Sequence, residues 1–127
     1  MEFALQALVG LLCLPLTALE LRSLFAPAAQ AVDMGIAPQG AQGLNTVRGV
    51  IGGFFLACVA MLATGLVTGA TEWFLAVAFL MAAVIAGRVV GLVADGLDKA
   101  VLPPIAVETV IATVMIGAYL GLATPIG

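Results

Sequence analysis

Four apolar stretches constrain this chain more than anything else in it. Residues 3–24, 46–67, 73–94 and 104–123 each provide about 20 consecutive, mostly uncharged positions, which as helix at 1.5 Å per residue match the hydrocarbon thickness of a bilayer. The first is uncharged as far as Leu19 and the second after Arg48; the third carries Arg88 near its end and the fourth Glu108 near its start. The competing reading is a very apolar soluble bundle. Composition decides between them: 64% of the 127 residues are hydrophobic and 9% charged, whereas a soluble domain carries roughly 25% charged residues. A core of this size cannot hide that much apolar surface, so the expected solvent is lipid. The expected fold is all-α: a single transmembrane domain over residues 1–127, an up-down antiparallel four-helix bundle.

The connections differ. Residues 25–44 are rich in Pro, Gly, Gln and Ala with Asp33 as the only charge, and read as a surface loop. The turn at Gly69, Ala70, Thr71 and Glu72 is short, which makes the second and third spans antiparallel neighbours. Asn45 is placed to cap the second span, and Pro103 with Pro104 suits the opening turn of the fourth, where a missing N–H costs nothing. A cleavable leader ending at Ala29-Gln30-Ala31 is disfavoured. Glu2 stands where a leader carries Lys or Arg, and Glu20 and Arg22 separate the apolar run from the small-residue site.

The four cations are Arg22, Arg48, Arg88 and Lys99, and all flank the first or third connection. By the positive-inside rule that side is cytoplasmic, which places both termini and the Glu72 turn on the non-cytoplasmic side. Trp73, Phe74 and Tyr119 then fall at the outer interface, where amphipathic rings prefer to sit. A multi-pass protein of a bacterial inner membrane fits this pattern.

Charge and residue types exclude several functions. With four cations among eleven charged side chains there is no basic patch to neutralise a phosphate backbone, so nucleic acid is not an expected partner. No histidine is present, which removes the commonest metal ligand, and no metal or other cofactor is expected. Cys13 and Cys58 lie far apart in apolar runs and read as small hydrophobes rather than a metal pair or a disulfide.

Gly-x-x-x-Gly recurs four times, at Gly49/Gly53, Gly65/Gly69, Gly87/Gly91 and Gly117/Gly121. Small residues let helix backbones approach closely in lipid. The spacing does not by itself separate contacts within one bundle from contacts between copies, and packing within one bundle is the preferred reading.

One polar cluster stands out. Arg88 lies roughly 9 Å inside its helix end and Glu108 about 6 Å inside the start of the next. An arginine at such depth costs roughly 2.5–3.5 kcal/mol without a partner, and Glu108 is the obvious one. Asp95 shares the helix face of Arg88 through Gly91 and offers a second carboxylate. Arg48 enters from the second span with Asn45 three residues before it. These five side chains are the candidate ligand or lipid-headgroup residues. The preferred reading of the cluster is nevertheless an ion-pair network that ties the helices, with arginines snorkelling to lipid phosphate.

At Asn45-Thr46-Val47-Arg48-Gly49-Val50-Ile51-Gly52-Gly53, followed by Gly87-Arg88 and Asp95-Gly96, the chain resembles a bacterial domain-of-unknown-function family of small four-span integral membrane proteins. The likeness includes Val32-Asp33-Met34-Gly35 and Glu108. It implies a four-helix fold in which Asn45, Arg48, Gly87, Arg88, Asp95 and Glu108 matter, and it supplies no activity.

Three functions compete. A non-catalytic accessory or scaffolding subunit of a larger membrane complex, held by membrane lipids and by other membrane subunits or further copies of itself, fits the glycine-lined helices and the lack of any nucleophile–base pair or phosphate loop. A small transporter or lipid-binding protein would use Arg48, Arg88 and Glu108. The small four-helix drug exporters carry a carboxylate deep in the first helix, whereas Glu20 lies near its end. A membrane enzyme working through Arg48, Glu108 and Asp95 lacks a second group with a clear acid–base role, so no enzymatic activity is expected.

Overall fold

The computed structural model describes residues 2–122. Both chain termini lie outside the described residues, as does the last position, 123, of the expected fourth span.

The described chain is helical throughout its long elements. Helix α1 runs Glu2–Phe25, α2 Pro27–Asp33, α3 Gly40–Thr46, α4 Gly52–Thr68, α5 Glu72–Asp95 and α6 Leu102–Leu122. A wide π turn, Val47–Ile51, joins α3 to α4 without interrupting the helix, so Gly40–Thr68 is one run of 29 residues. A 3₁₀ turn, Lys99–Val101, leads into α6, and the Asp98 side chain accepts a hydrogen bond from its Ala100 N–H at 2.9 Å. Four of these runs, α1, Gly40–Thr68, α5 and Lys99–Leu122, are long and apolar enough to cross a membrane.

Residues 25–44 depart from the expected loop. Pro27 opens α2 in its first turn, where the lost N–H matters least, and Pro27, Gln30 and Ala31 are buried. Helix resumes at Gly40 rather than near Thr46, because Ala41, Gln42 and Leu44 propagate helix readily. Asn45 therefore lies inside α3 and caps nothing, and the residue before the helix is Gln39, in an extended conformation.

The long helices form a closed ring in which α1 packs against α4 and α6, and α5 against α4 and α6, each neighbour antiparallel. We call the end with the α4–α5 turn apical and the other basal. The core fills the apical half and the middle of the bundle: Val9 and Leu16 of α1, Cys58 and Leu62 of α4, Phe74 and Met81 of α5, Met115 and Ala118 of α6. No described residue of α5 beyond Met81, and none of α6 before Ile111, is buried. At the basal end α5 and α6 face each other, while a separate buried group of Ser23, Pro27, Gln30, Ala31, Val47 and Gly52 joins α1 to α2 and the π turn.

Phe74 is correspondingly not an interface ring. It is buried against Gly65, where an added Cβ would stand 2.7 Å from Phe74 Cε1. Tyr119 packs on the core as well, and Trp73 alone of the three is exposed. The tight turn explains the difference: Gly69 ends α4 with φ +74°, its N–H bonded to Gly65 O at 2.9 Å, which brings the first turn of α5 straight back onto α4. Cys58 is buried and Cys13 half-buried against the same core, and both are free thiols.

The outer surface is apolar, with Leu14, Val67, Phe79, Val93 and Leu120 pointing outward. The helix hydroxyls are closed on their own backbones: Thr64 donates to Ala60 O at 2.7 Å, Thr109 to Ile105 O at 2.7 Å and Thr113 to Thr109 O at 2.8 Å.

Candidate functional site

The five expected site residues lie toward the basal end, and they do not form one cluster. A first group sits between α5 and α6. Arg88 is seven residues past Met81 and so shares its inward face, and Glu108 is three residues before buried Ile111. Arg88 Nε lies 2.9 Å from each oxygen of Glu108, and Nη2 lies 2.8 Å from Oε1. The Glu108 side chain is 13% exposed and that of Arg88 33%. A guanidinium that holds both oxygens of one carboxylate makes a strong, directional pair, and it engages Arg88 through Nε and Nη2.

The second group lies on the outside of the π turn. Asn45 and Arg48 are exposed and line a depression of about 200 Å³ with Ala41 and Leu44. Among the described residues Arg48 has no ion-pair partner. Asp95, at the end of α5, is exposed and does not reach Arg88. The five residues expected in one pocket are thus divided, with Arg88 and Glu108 locked together inside and Asn45, Arg48 and Asp95 facing outward. The π turn contributes to this division, since a widened turn rotates the residues before it relative to those after it.

The glycines divide in the same way. A Cβ at Gly121 would stand 2.5 Å from Leu5 Cδ1 and one at Gly117 4.0 Å from Leu5 Cδ2, so these two, like Gly65, serve contacts inside the ring. Gly69 closes the turn. Gly49, Gly53, Gly87 and Gly91 have nothing within 4 Å of where a Cβ would be.

Two features escape a reading of the sequence. Arg22 pairs with Asp33, folding α2 back along the end of α1; the clue was the opposite charges either side of Pro27. Gln30 is buried with its Oε1 unpartnered, its Nε2 3.6 Å from Met34 Sδ; no local pattern marks it. A second depression, about 370 Å³, opens on the far side of the π turn between Pro38 and Gln42, Thr46 and Ile51. Among the described residues no three His, Cys, Asp or Glu side chains gather as a metal site.

Compared with protein families, curated proteins and solved structures, the chain finds no match in any of the three.

Proposed function

We propose that this chain is a multi-pass protein of a bacterial inner membrane that serves as a non-catalytic accessory or scaffolding subunit, docking a neighbouring transmembrane helix on the outer faces of α4 and α5. The observation that carries this reading is the set of open glycines: Gly49, Gly53, Gly87 and Gly91 meet no atom of the chain itself. Glycine in a helix interior costs about 1 kcal/mol against alanine, and in lipid its return is close approach of another helix. The apolar exterior and the self-satisfied threonines favour hydrocarbon as the surrounding solvent. Arg22, Arg48, Arg88 and Lys99 all belong to the basal end, which favours a cytoplasmic basal end and both termini on the opposite side. The resemblance to small four-span membrane proteins adds its motifs to the same reading.

The test is the mass of the complex extracted from membranes in a mild detergent. The chain should elute at more than one chain's mass, and Gly53→Leu with Gly91→Leu should return it to one chain's mass with helix content unchanged. Elution of the unsubstituted chain at one chain's mass would overturn the reading.

A second reading, lipid-headgroup binding, is favoured by the Asn45–Arg48 depression alone, since Arg88 is occupied by Glu108. Arg48→Ala should then strip co-purified anionic lipid in native mass spectrometry; unchanged lipid content would count against it.

A further inference from the structure

We infer that the docked helix belongs to a second copy of this chain, and that two copies meet through one reciprocal contact in which Asn45, Gly49, Gly53 and Ala57 of one lie against Asp95, Gly91, Gly87 and Ala83 of the other. The inference rests on the docking role proposed above and names its partner.

The argument begins with spacing. On the Gly40–Thr68 helix a polar residue, two glycines and an alanine follow at intervals of four, at 45, 49, 53 and 57. On α5 the same series runs in reverse, alanine, two glycines and a polar residue, at 83, 87, 91 and 95. The alanines and polar residues of both rows are exposed, and the four glycines meet nothing within the chain. The two rows therefore do not touch each other inside one molecule, although α4 and α5 are ring neighbours.

Symmetry then supplies the match. Because α4 and α5 are antiparallel neighbours, a two-fold axis parallel to the bundle sets α4 of one copy opposite α5 of the other, again antiparallel, and makes the contact twice. Placing Gly49 against Gly91 puts Gly53 against Gly87 and Ala57 against Ala83. The same register puts Asn45 level with Asp95 at the basal end. Rows of small residues four apart favour a right-handed crossing near −40°.

Charge fixes the orientation. Arg48 has no ion-pair partner among the described residues, nor has Asp95. Helical side chains lean toward the N-terminus of their helix, which for Arg48 is the basal direction. Its Cα sits about 1.5 Å basal of Gly49 and that of Asp95 about 6 Å basal of Gly91, so the leaning guanidinium comes level with the carboxylate. A parallel arrangement would instead bring Arg48 opposite apolar α5 residues, leaving both charges without a partner.

Two copies carrying different tags, produced together and extracted from the same membranes, test the inference. One tag should recover the other. Asp95→Arg alone and Arg48→Asp alone should each lower that recovery about tenfold, and the two changes in one chain should restore it, since the swap exchanges the charges in both halves of the contact. Co-production of an Ala57→Cys chain with an Ala83→Cys chain, both lacking Cys13 and Cys58, should give an oxidant-dependent cross-link between differently tagged copies, which also covers the case that a charge variant fails to fold. An oversize complex in which one tag never recovers the other would overturn the second-copy inference while leaving the docking role standing; a single-chain mass would overturn both. A swapped chain that recovers no better than the single variants would overturn the pairing.

Discussion

Arg88 and Glu108 close on each other across α5 and α6, the arginine Nε 2.9 Å from both carboxylate oxygens. This is the one ion pair in the described residues that links two of the long helices, and it sits where the apolar core has already ended. Removing one partner leaves the other charge half-buried. Arg88→Met or Glu108→Met should therefore cost about 1–3 kcal/mol, between the ranges for exposed and for buried pairs because Arg88 is a third exposed. The double variant Arg88→Met with Glu108→Met should be more stable than either single one. A double-mutant cycle of unfolding in mixed micelles checks this; additive losses would show that the pair is uncoupled.

Gly65 receives the buried ring of Phe74, and a methyl there would stand 2.7 Å from Cε1. The ring is stiff and fully enclosed, so it has little room to yield. Gly65→Ala should destabilise by about 1–3 kcal/mol through overpacking, despite alanine's better helix propensity. Adding Phe74→Leu should recover part of the loss in the same unfolding measurement.

Gly69 holds φ +74°, a conformation that costs a side-chain-bearing residue about 1–2 kcal/mol. Gly69→Ala should destabilise by about that amount and so lower the midpoint of thermal unfolding, whereas Gly10→Ala, at an open site outside the proposed contact, should leave it unchanged or raise it.

Arg22 and Asp33 form an exposed pair, and such pairs contribute about 0–1 kcal/mol. Asp33→Asn should thus barely move global stability. It should instead speed amide exchange over Pro27–Asp33, because the pair ties that short helix to the end of α1; unchanged exchange there would mean that the buried face of α2 holds it alone.

Much of this architecture is legible in residue order because hydrocarbon length and helix rise leave few alternatives for four long apolar runs. The Arg88–Glu108 pair is legible for a related reason: two opposite charges set inside facing helix ends have nowhere else to go. What the sequence hides is rotation. Whether Gly49 or Gly65 faces inward depends on the π turn at Val47–Ile51 and on the sharp reversal at Gly69, and neither leaves a periodic trace. The same holds for Phe74, whose place beside Trp73 looks interfacial until the turn carries it under Gly65. Asn45 looks like a cap because capping preferences are local, yet the helix that starts at Gly40 passes straight through it.

Everything here depends on lipid being the solvent of the four helices, with the basal end in the cytoplasm. Single cysteines at Ala37, Ala70 and Asp98, in a chain without Cys13 and Cys58, can be treated in intact spheroplasts with a maleimide that does not cross membranes. Labelling at position 70 alone, with 37 and 98 reacting only after the membrane is opened, is the predicted result. Labelling of 37 or 98 from outside, or a chain that stays in solution without detergent, would contradict the account.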